Sequence, residues 1–217
     1  MLASYSFNKF DHNPTNHISG FPNLHLLEGE AIRTGSFAPV ILHAYHKIQL
    51  RYFRWGLVPS WSKDASMGKN RKTAAARNIF QRPSFQHAIR QQRCLIPADS
   101  FIFRKDALLK STQYDVSADQ KETFYFGGIY DCWESPTGEL VHSFAIITKE
   151  LSQAHPQFGK QIPLILPEHQ QKTWLNPNTN LQVIARIMST CKMPQVNMDV
   201  LQVQFETEKV VLQEIAA

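Results

Sequence analysis

The strongest chemical signal in this sequence is an excess of cations in one stretch of the chain. Between Arg54 and Arg104 there are ten lysine or arginine residues against two acids, Asp64 and Asp99. Such an excess favours a polyanionic ligand, because each phosphate that a cation neutralises releases a counterion. A solvated basic face is the alternative interpretation, and composition alone favours it. The chain as a whole has a formal net charge of +5.

An aromatic loop lies at the start of this cationic stretch. Residues 54–61 are Arg-Trp-Gly-Leu-Val-Pro-Ser-Trp. An exposed ring can stack on an unpaired base, which contributes about 1–3 kcal/mol per base without sequence readout. We expect Trp55 to belong to the core, whereas Trp61 could either stack on a base or pack under the loop. The candidate nucleic-acid contacts are Trp55, Pro59, Trp61, Lys69, Arg71, Lys72, Arg77 and Arg82.

Nucleophilic and metal-binding groups are sparse. Cys94, Cys132 and Cys191 are widely spaced and form no CxxC pair, which argues against a disulfide framework and against a zinc site. The closest histidine pair, His43 and His46, belongs to no metal-binding motif, so surface histidines are the better interpretation. We expect no bound metal and no cofactor.

The elements that must position these groups are short and mostly extended. Alternating or apolar runs predict strands, and 3.6-residue periodicity predicts three helices. Cys94 falls in an apolar run, so its thiol is expected to be buried rather than catalytic. The predicted strands are 39–43, 47–53, 94–97, 162–166, 199–205 and 209–215, with a hairpin over 123–148. The predicted helices are 83–92, 169–175 and 181–189, residues 1–30 are predicted to be irregular, and 62–72 is predicted to be a loop.

Composition indicates a folded protein of the α+β class. Hydrophobic residues make up 43% of the chain and charged residues 19%, which is typical of a globular protein. The length of 217 residues fits one domain, residues 1–217. No apolar run approaches the roughly 20 residues that span a bilayer. The first residues lack the pattern of a signal peptide, so a cytoplasmic location is expected.

Several segments, taken in order, resemble the SRAP family, the SOS response-associated peptidases that cap abasic sites in single-stranded DNA. The resemblance implies one SRAP-like domain with a β-rich, barrel-like mixed sheet and short flanking helices. It also implies single-stranded DNA as the partner and a role in the SOS response to DNA damage. The segments are 54–61, 83–85, 93–101, 126–133, 144–148, 163–167, 173–175 and 193–197.

The chemistry of that family requires a cysteine at the chain terminus. Its α-amine, with a pKa near ~8, condenses with the aldehyde of an abasic sugar, and its thiol then closes a thiazolidine ring. This sequence has Leu2 at that position. Because leucine follows Met1, we expect the methionine to be retained, and leucine in any case has no thiol.

The resemblance places three further reactive groups, and each is replaced. The family's asparagine falls on Thr73 without a gap, or on Ala75 with a gap of two residues. Its glutamate falls on Phe103, whose ring cannot accept a proton. Its histidine falls on Gly159, and His155 is the residue nearby that could replace it. The gapped alignment also retains Arg77 as a phosphate contact.

These losses predict a protein that binds single-stranded or damaged DNA without the family's reaction. Reactive groups that act as a unit are not lost additively, so the reaction is expected to be absent rather than slow. Two alternatives remain. One is an interaction module with no role on nucleic acid, and the other is an active crosslinking protein or peptidase with relocated residues.

Overall fold

Strands dominate the architecture. The structure is a computed structural model that describes residues 2–7, 31–107, 110–118, 123–155, 159–194 and 196–205. The first strands are β1 (Leu2–Ser6), β2 (Phe37–Ala44), β3 (Lys47–Trp55), β4 (Thr73–Ala75), β5 (Arg93–Ala98) and β6 (Ser100–Ala107). They are followed by β7 (Lys110–Ala118), β8 (Phe124–Glu134), β9 (Leu140–His155), β10 (Gly159–Pro163) and β11 (Val196–Phe205). The helices are α1 (Ala88–Gln91), α2 (Glu168–Leu175) and α3 (Leu181–Thr190), with 3₁₀ turns at Ala65–Asn70 and Ala76–Asn78.

Five of these strands close into a ring. The order β9–β3–β2–β5–β8 returns to β9, because β8 also pairs with β9 in antiparallel fashion. The ring is mixed, since β3 joins β9 in parallel through Trp55 and Phe144. β4 and β10 extend the sheet from β9. The predicted barrel-like mixed sheet and the α+β class are confirmed.

Bulky side chains that alternate along the strands fill the inside of the ring. Trp55, Phe126 and Phe144 are fully buried there. The Tyr5 ring packs edge-on against Trp55 with the ring centroids 5.2 Å apart. Cys94 is also buried, and this burial raises the pKa of its thiol. The predictions that Trp55 belongs to the core and that Cys94 is buried are confirmed.

The helices cover the outer face of the barrel and build a second apolar core. Ile184, Ile187 and Met188 of α3 are buried there, as the helical periodicity predicts. Trp174 of α2 is fully buried, and its indole N–H donates to the Cys94 carbonyl at 3.0 Å. This contact ties the outer layer to a strand of the ring.

A four-stranded sheet stands beside the ring, in the order β1–β6–β7–β11. Its first strand corrects the sequence prediction, because residues 2–6 are extended rather than irregular. β1 is held by long-range pairing with β6, in which Leu2 is the partner of Phe103 and Tyr5 the partner of Phe101. Five residues are too few for a periodic signal, so the pairing was not visible in the sequence.

Other predicted elements differ in extent. The helix expected over 83–92 is reduced to α1, which follows turns at 83–87. The hairpin over 123–148 is confirmed as β8 and β9, and β9 continues to His155. The predicted strand 209–215 and the expected retention of Met1 lie outside the described residues. Among the residues that are described, no helix is long and apolar enough to cross a membrane.

One buried cation joins the helical layer to the barrel. Arg93, at the start of β5, is 2% exposed. Its guanidinium donates to the carbonyls of Ile89 at 2.8 Å, Arg90 at 2.5 Å, Trp174 at 2.8 Å and Asn176 at 2.5 Å. These carbonyls lie at the C-terminal ends of α1 and α2, where helices carry unpaired acceptors and partial negative charge. Burial lowers the pKa of the Arg93 guanidinium, but an arginine keeps its charge.

Replacing Arg93 with lysine should destabilise the protein strongly. A lysine keeps the charge but loses the planar fork, so several buried carbonyls would lose their donors. We expect Arg93→Lys to lower the free energy of unfolding by at least about 2 kcal/mol. Urea denaturation measures this, with Arg186→Lys on the exposed face of α3 as the matched control. Equal stability of the two variants would contradict the structural role of Arg93.

Candidate nucleic-acid interface

The loop between β3 and β4, residues 56–72, is fixed to the barrel wall. The backbone N–H of Val58 donates to Ser143 Oγ at 2.8 Å, and that of Ser60 donates to Asp131 Oδ2 at 2.9 Å. Ser143 and Asp131 are buried and are partners across β8 and β9. The 56–72 loop is therefore held by side chains of the ring itself.

This fixed loop holds Trp61 out in solvent. The Trp61 side chain is 56% exposed, whereas its neighbour Ser62 is buried. The Ser62 carbonyl accepts the indole N–H of Trp133 at 2.6 Å, which secures the backbone directly after the exposed ring. A ring on a preorganised backbone loses less entropy when it binds a partner. The exposure of Trp61 contradicts packing under the loop, and stacking on a base stays a prediction.

The 56–72 loop also crosses itself with backbone against backbone. Gly56 has a φ of +120°, and a Cβ placed there would lie 2.6 Å from the Gly68 carbonyl oxygen. A Cβ on Gly68 would lie 2.5 Å from the Gly56 carbonyl oxygen. Only glycine at both positions allows this close approach.

Trp55 and Pro59 are not surface contacts. Both are buried, and the Trp55 ring lies in the barrel interior with its N–H donated to the Lys72 carbonyl at 2.8 Å. Neither residue offers a face to a base or a sugar. This corrects their place among the candidate contacts, because their apolar surface stabilises the ring instead.

Two of the predicted cations, Arg71 and Lys72, are half-buried at the end of the loop. The Arg71 Nε donates to Ser84 Oγ at 3.0 Å, and its Nη1 donates to the Met67 carbonyl at 2.9 Å. Lys72 is half-buried, and burial lowers the pKa of its ammonium group. Arg71 thus connects the 56–72 loop to the segment before α1, and part of its hydrogen-bonding capacity is already used.

The remaining cations are more accessible. Lys69 and Arg82 are exposed. Arg77 is exposed as well, but its Nη1 lies 2.5 Å from Glu150 Oε1 on β9. Glu150 therefore already neutralises part of the charge that Arg77 could offer to a phosphate. Nothing in the sequence pattern signalled Glu150, which lies 73 positions from Arg77.

Leu2 and Phe103 meet in the four-stranded sheet. They are Cα partners across β1 and β6, and they are only 2% and 4% exposed. The same row continues through Tyr114 on β7 to Val200 on β11, which is 58% exposed. The row is apolar from the core to the surface, and it contains no thiol and no carboxylate.

Comparison with known proteins decides the family. The model of the SOS response associated peptidase (SRAP) family matches residues 28–210. This chain belongs to the SRAP family. The resemblance found in the sequence is confirmed, although the matched residues begin after Leu2.

The SRAP relatives are of moderate similarity. The abasic site processing protein YoqW of Bacillus subtilis is 32% identical over 159 residues, which is 70% of each chain. The abasic site processing protein HMCES of Mus musculus is 30% identical over 154 residues, which is 57% of this chain and 44% of the mouse protein. A solved structure from Bacteroides thetaiotaomicron is similar with a TM-score of 0.68 at 26% identity, covering 79% of this chain and 77% of the other.

The position of the SRAP asparagine falls on β4 under both alignments. Thr73 and Ala75 are two residues apart on one strand, so they lie on the same face of it. Neither residue carries an amide. The choice of alignment therefore does not change which chemistry this face can supply.

The resemblance assigns the family's histidine to Gly159, which begins β10 directly after the connection from β9. Gly159 pairs directly with His155 across the two strands. The backbone register thus places the nearby histidine opposite the glycine to which the resemblance assigns the family's histidine. Whether His155 takes over its role stays a prediction.

The matched pair Gly56 and Gly138 tests whether the loop crossing matters. Gly56→Ala should lower the free energy of unfolding by about 3 kcal/mol or more, because it combines a positive φ with a backbone clash. Gly138 also has a positive φ, of +81°, but nothing lies within 4 Å of a Cβ there. Gly138→Ala should therefore lose only the roughly 1–2 kcal/mol of left-handed strain. Urea denaturation of both variants gives the difference, and equal losses would contradict the close crossing.

Proposed function

We propose that this SRAP protein binds single-stranded DNA at damaged sites without forming a covalent bond to it. The observation that carries the proposal is the buried Leu2–Phe103 pair, because the resemblance assigns the family's thiol and carboxylate to these two positions. In the alignment that the family resemblance gives, the groups for bond formation are replaced at these positions.

The chemical environment of the pair supports the loss of the reaction. Aldehyde capture needs an amine and a thiol on one residue, together with a group that transfers protons. Leu2 and Phe103 supply none of these, and they pack in the same apolar cluster as Trp55 and Phe101. A sugar could reach this position only if the cluster opened, which would expose large apolar surfaces to water.

Relatives and surface chemistry support DNA as the ligand. YoqW and HMCES are named as abasic site processing proteins. This chain carries an exposed ring, Trp61, on a fixed loop, and exposed cations at Lys69 and Arg82. Exposed rings and cations suit a single strand, whose bases stack while its phosphates are neutralised. The SOS response and a cytoplasmic location are part of this proposal.

Two alternatives each have one observation in their favour. An interaction module without a nucleic-acid role is favoured by Phe103, because its ring fills the site rather than leaving it open. A relocated active site is favoured by the pairing of His155 with Gly159. The two measurements below separate these alternatives from the proposal.

Binding of single-stranded DNA should depend on the exposed tryptophan. We expect Trp61→Ala to weaken binding of a fluorescent oligonucleotide by about 5- to 150-fold, because one stacking contact is lost. Fluorescence anisotropy measures this, and Val183→Ala, which truncates another exposed apolar side chain on α3, should change nothing. Absence of binding by the unmodified protein at low salt would favour the interaction module.

No covalent adduct should form with abasic single-stranded DNA. On a denaturing gel, the unmodified protein and Leu2→Cys should both migrate free of DNA, because Phe103 and Gly159 remain in the variant. YoqW serves as the comparison under the same conditions. A stable adduct of the unmodified protein would overturn the proposal, and loss of that adduct in His155→Ala would establish the relocated site.

A further inference from the structure

A cleft opens beside the crossing of the 56–72 loop. Its volume is about 340 Å³, near the lower end of the range of about 300–1,000 Å³ for ligand sites. It lies between the turn at 34–35 and the loop, next to the end of β3. The lining residues are Thr34, Gly35, Arg54, Trp55, Gly56, Gly68 and Lys69.

Glycines leave part of the cleft wall as bare backbone. Gly56 and Gly68 touch through their backbones, as described above. Gly35 has a φ of +98°, and nothing lies within 4 Å of where its Cβ would be. A ligand can therefore approach main-chain atoms here, as ligands do at other glycine-lined sites.

The charge of the cleft is positive and not compensated. Arg54 is half-buried and Lys69 is exposed, and no acid is among the lining residues. Within the described residues, neither cation forms a hydrogen bond or an ion pair, and the Thr34 hydroxyl has no partner there either. This differs from Arg71, Arg77 and Arg93, whose guanidinium groups bind other parts of the chain.

We propose that this cleft holds one phosphate of a single-stranded DNA backbone, bound by Arg54 and Lys69 together, with the Thr34 hydroxyl as a further donor. The inference rests on the proposed function and names the place where the backbone is held. Charge-assisted hydrogen bonds from a guanidinium and an ammonium group suit a phosphate oxygen. An apolar ligand would leave both cations desolvated and unpaired, which is costly.

The position of the cleft relative to Trp61 supports a nucleic-acid strand. Arg54 pairs with Ser143 on β9, and Ser143 pairs with Asp131 on β8. Neighbouring strands are about 4.8 Å apart, so Arg54 and Asp131 are separated by roughly 10 Å of backbone. Asp131 binds the N–H of Ser60, the residue before Trp61. A short oligonucleotide can therefore reach the cleft and the exposed ring at once.

Salt dependence tests whether the two cations share a single phosphate. Binding of a single-stranded oligonucleotide should weaken by about 10- to 100-fold in the double variant Arg54→Gln/Lys69→Gln. The slope of log K against log salt should become shallower by about 0.7, the value for one phosphate of a single strand. The control is Lys172→Gln/Arg186→Gln, which removes the same charge from exposed positions on α2 and α3.

Two results of this experiment would overturn the inference. A slope change of about 1.4 would mean that the two cations contact separate phosphates. Equal behaviour of the cleft variant and the control would mean that only overall charge matters, and the proposed function would then stand without this site.

Inorganic phosphate tests the cleft without DNA. Titration of the unmodified protein should shift the backbone amide signals of Gly35, Gly56 and Gly68 in a saturable way. These shifts should disappear in Arg54→Gln and persist in Arg186→Gln. If the unmodified protein binds no oligonucleotide but shows these shifts, the cleft is a phosphate site, and both the proposed function and the assignment of that phosphate to DNA fail. Shifts that never saturate, or that are no larger at these glycines than around Arg186, would contradict phosphate binding in the cleft. If the double variant does not fold, this titration decides alone.

Discussion

The buried guanidinium of Arg93 is the interaction on which the rest of the molecule depends. A charge in the interior is costly unless its donors find acceptors, and here four carbonyls at the ends of two helices accept from the guanidinium. Because Arg93 begins β5, the contacts that position α1 and α2 also fix the start of this strand of the ring. The chain then turns after Ala98 into β6, which brings Phe103 to Leu2. One buried cation thus links the helical layer to the barrel strand that leads into β6.

The packing around Leu2 and Phe103 favours apolar side chains over the reactive groups that the family resemblance implies there. Without the terminal thiol and amine, a carboxylate opposite them would be a buried charge with no partner, and such a charge is costly. An apolar residue at the same position removes that cost and adds to the core. Leu2 and Phe103 are both nearly inaccessible and belong to one cluster, so each makes the other favourable. In the proposed function, the two replacements therefore amount to a single change in packing.

The outer surface of the barrel is organised by polar contacts rather than by apolar packing. The 56–72 loop is anchored by Ser143 and Asp131, which makes the exposure of Trp61 a property of the fold rather than of a flexible segment. The cations fall into two groups. Arg71 binds a carbonyl of the loop and Arg77 binds Glu150 of β9, whereas Arg54 and Lys69 line the cleft. The groups at this surface and the Leu2–Phe103 pair depend on different contacts, so a change at one does not require a change at the other.

By itself the sequence determined the β-rich class, most strands of the ring, the apolar face of α3 and the burial of Trp55 and Cys94, because these follow from local periodicity and composition. It also determined that Leu2, Phe103 and Gly159 carry no reactive group. Only the tertiary structure decided that Leu2 and Phe103 are partners, that Gly56 and Gly68 touch, and that Arg77 is already paired with Glu150. Each of these contacts joins distant parts of the chain or depends on a backbone angle. Side-chain periodicity along a strand or helix contains no information about either.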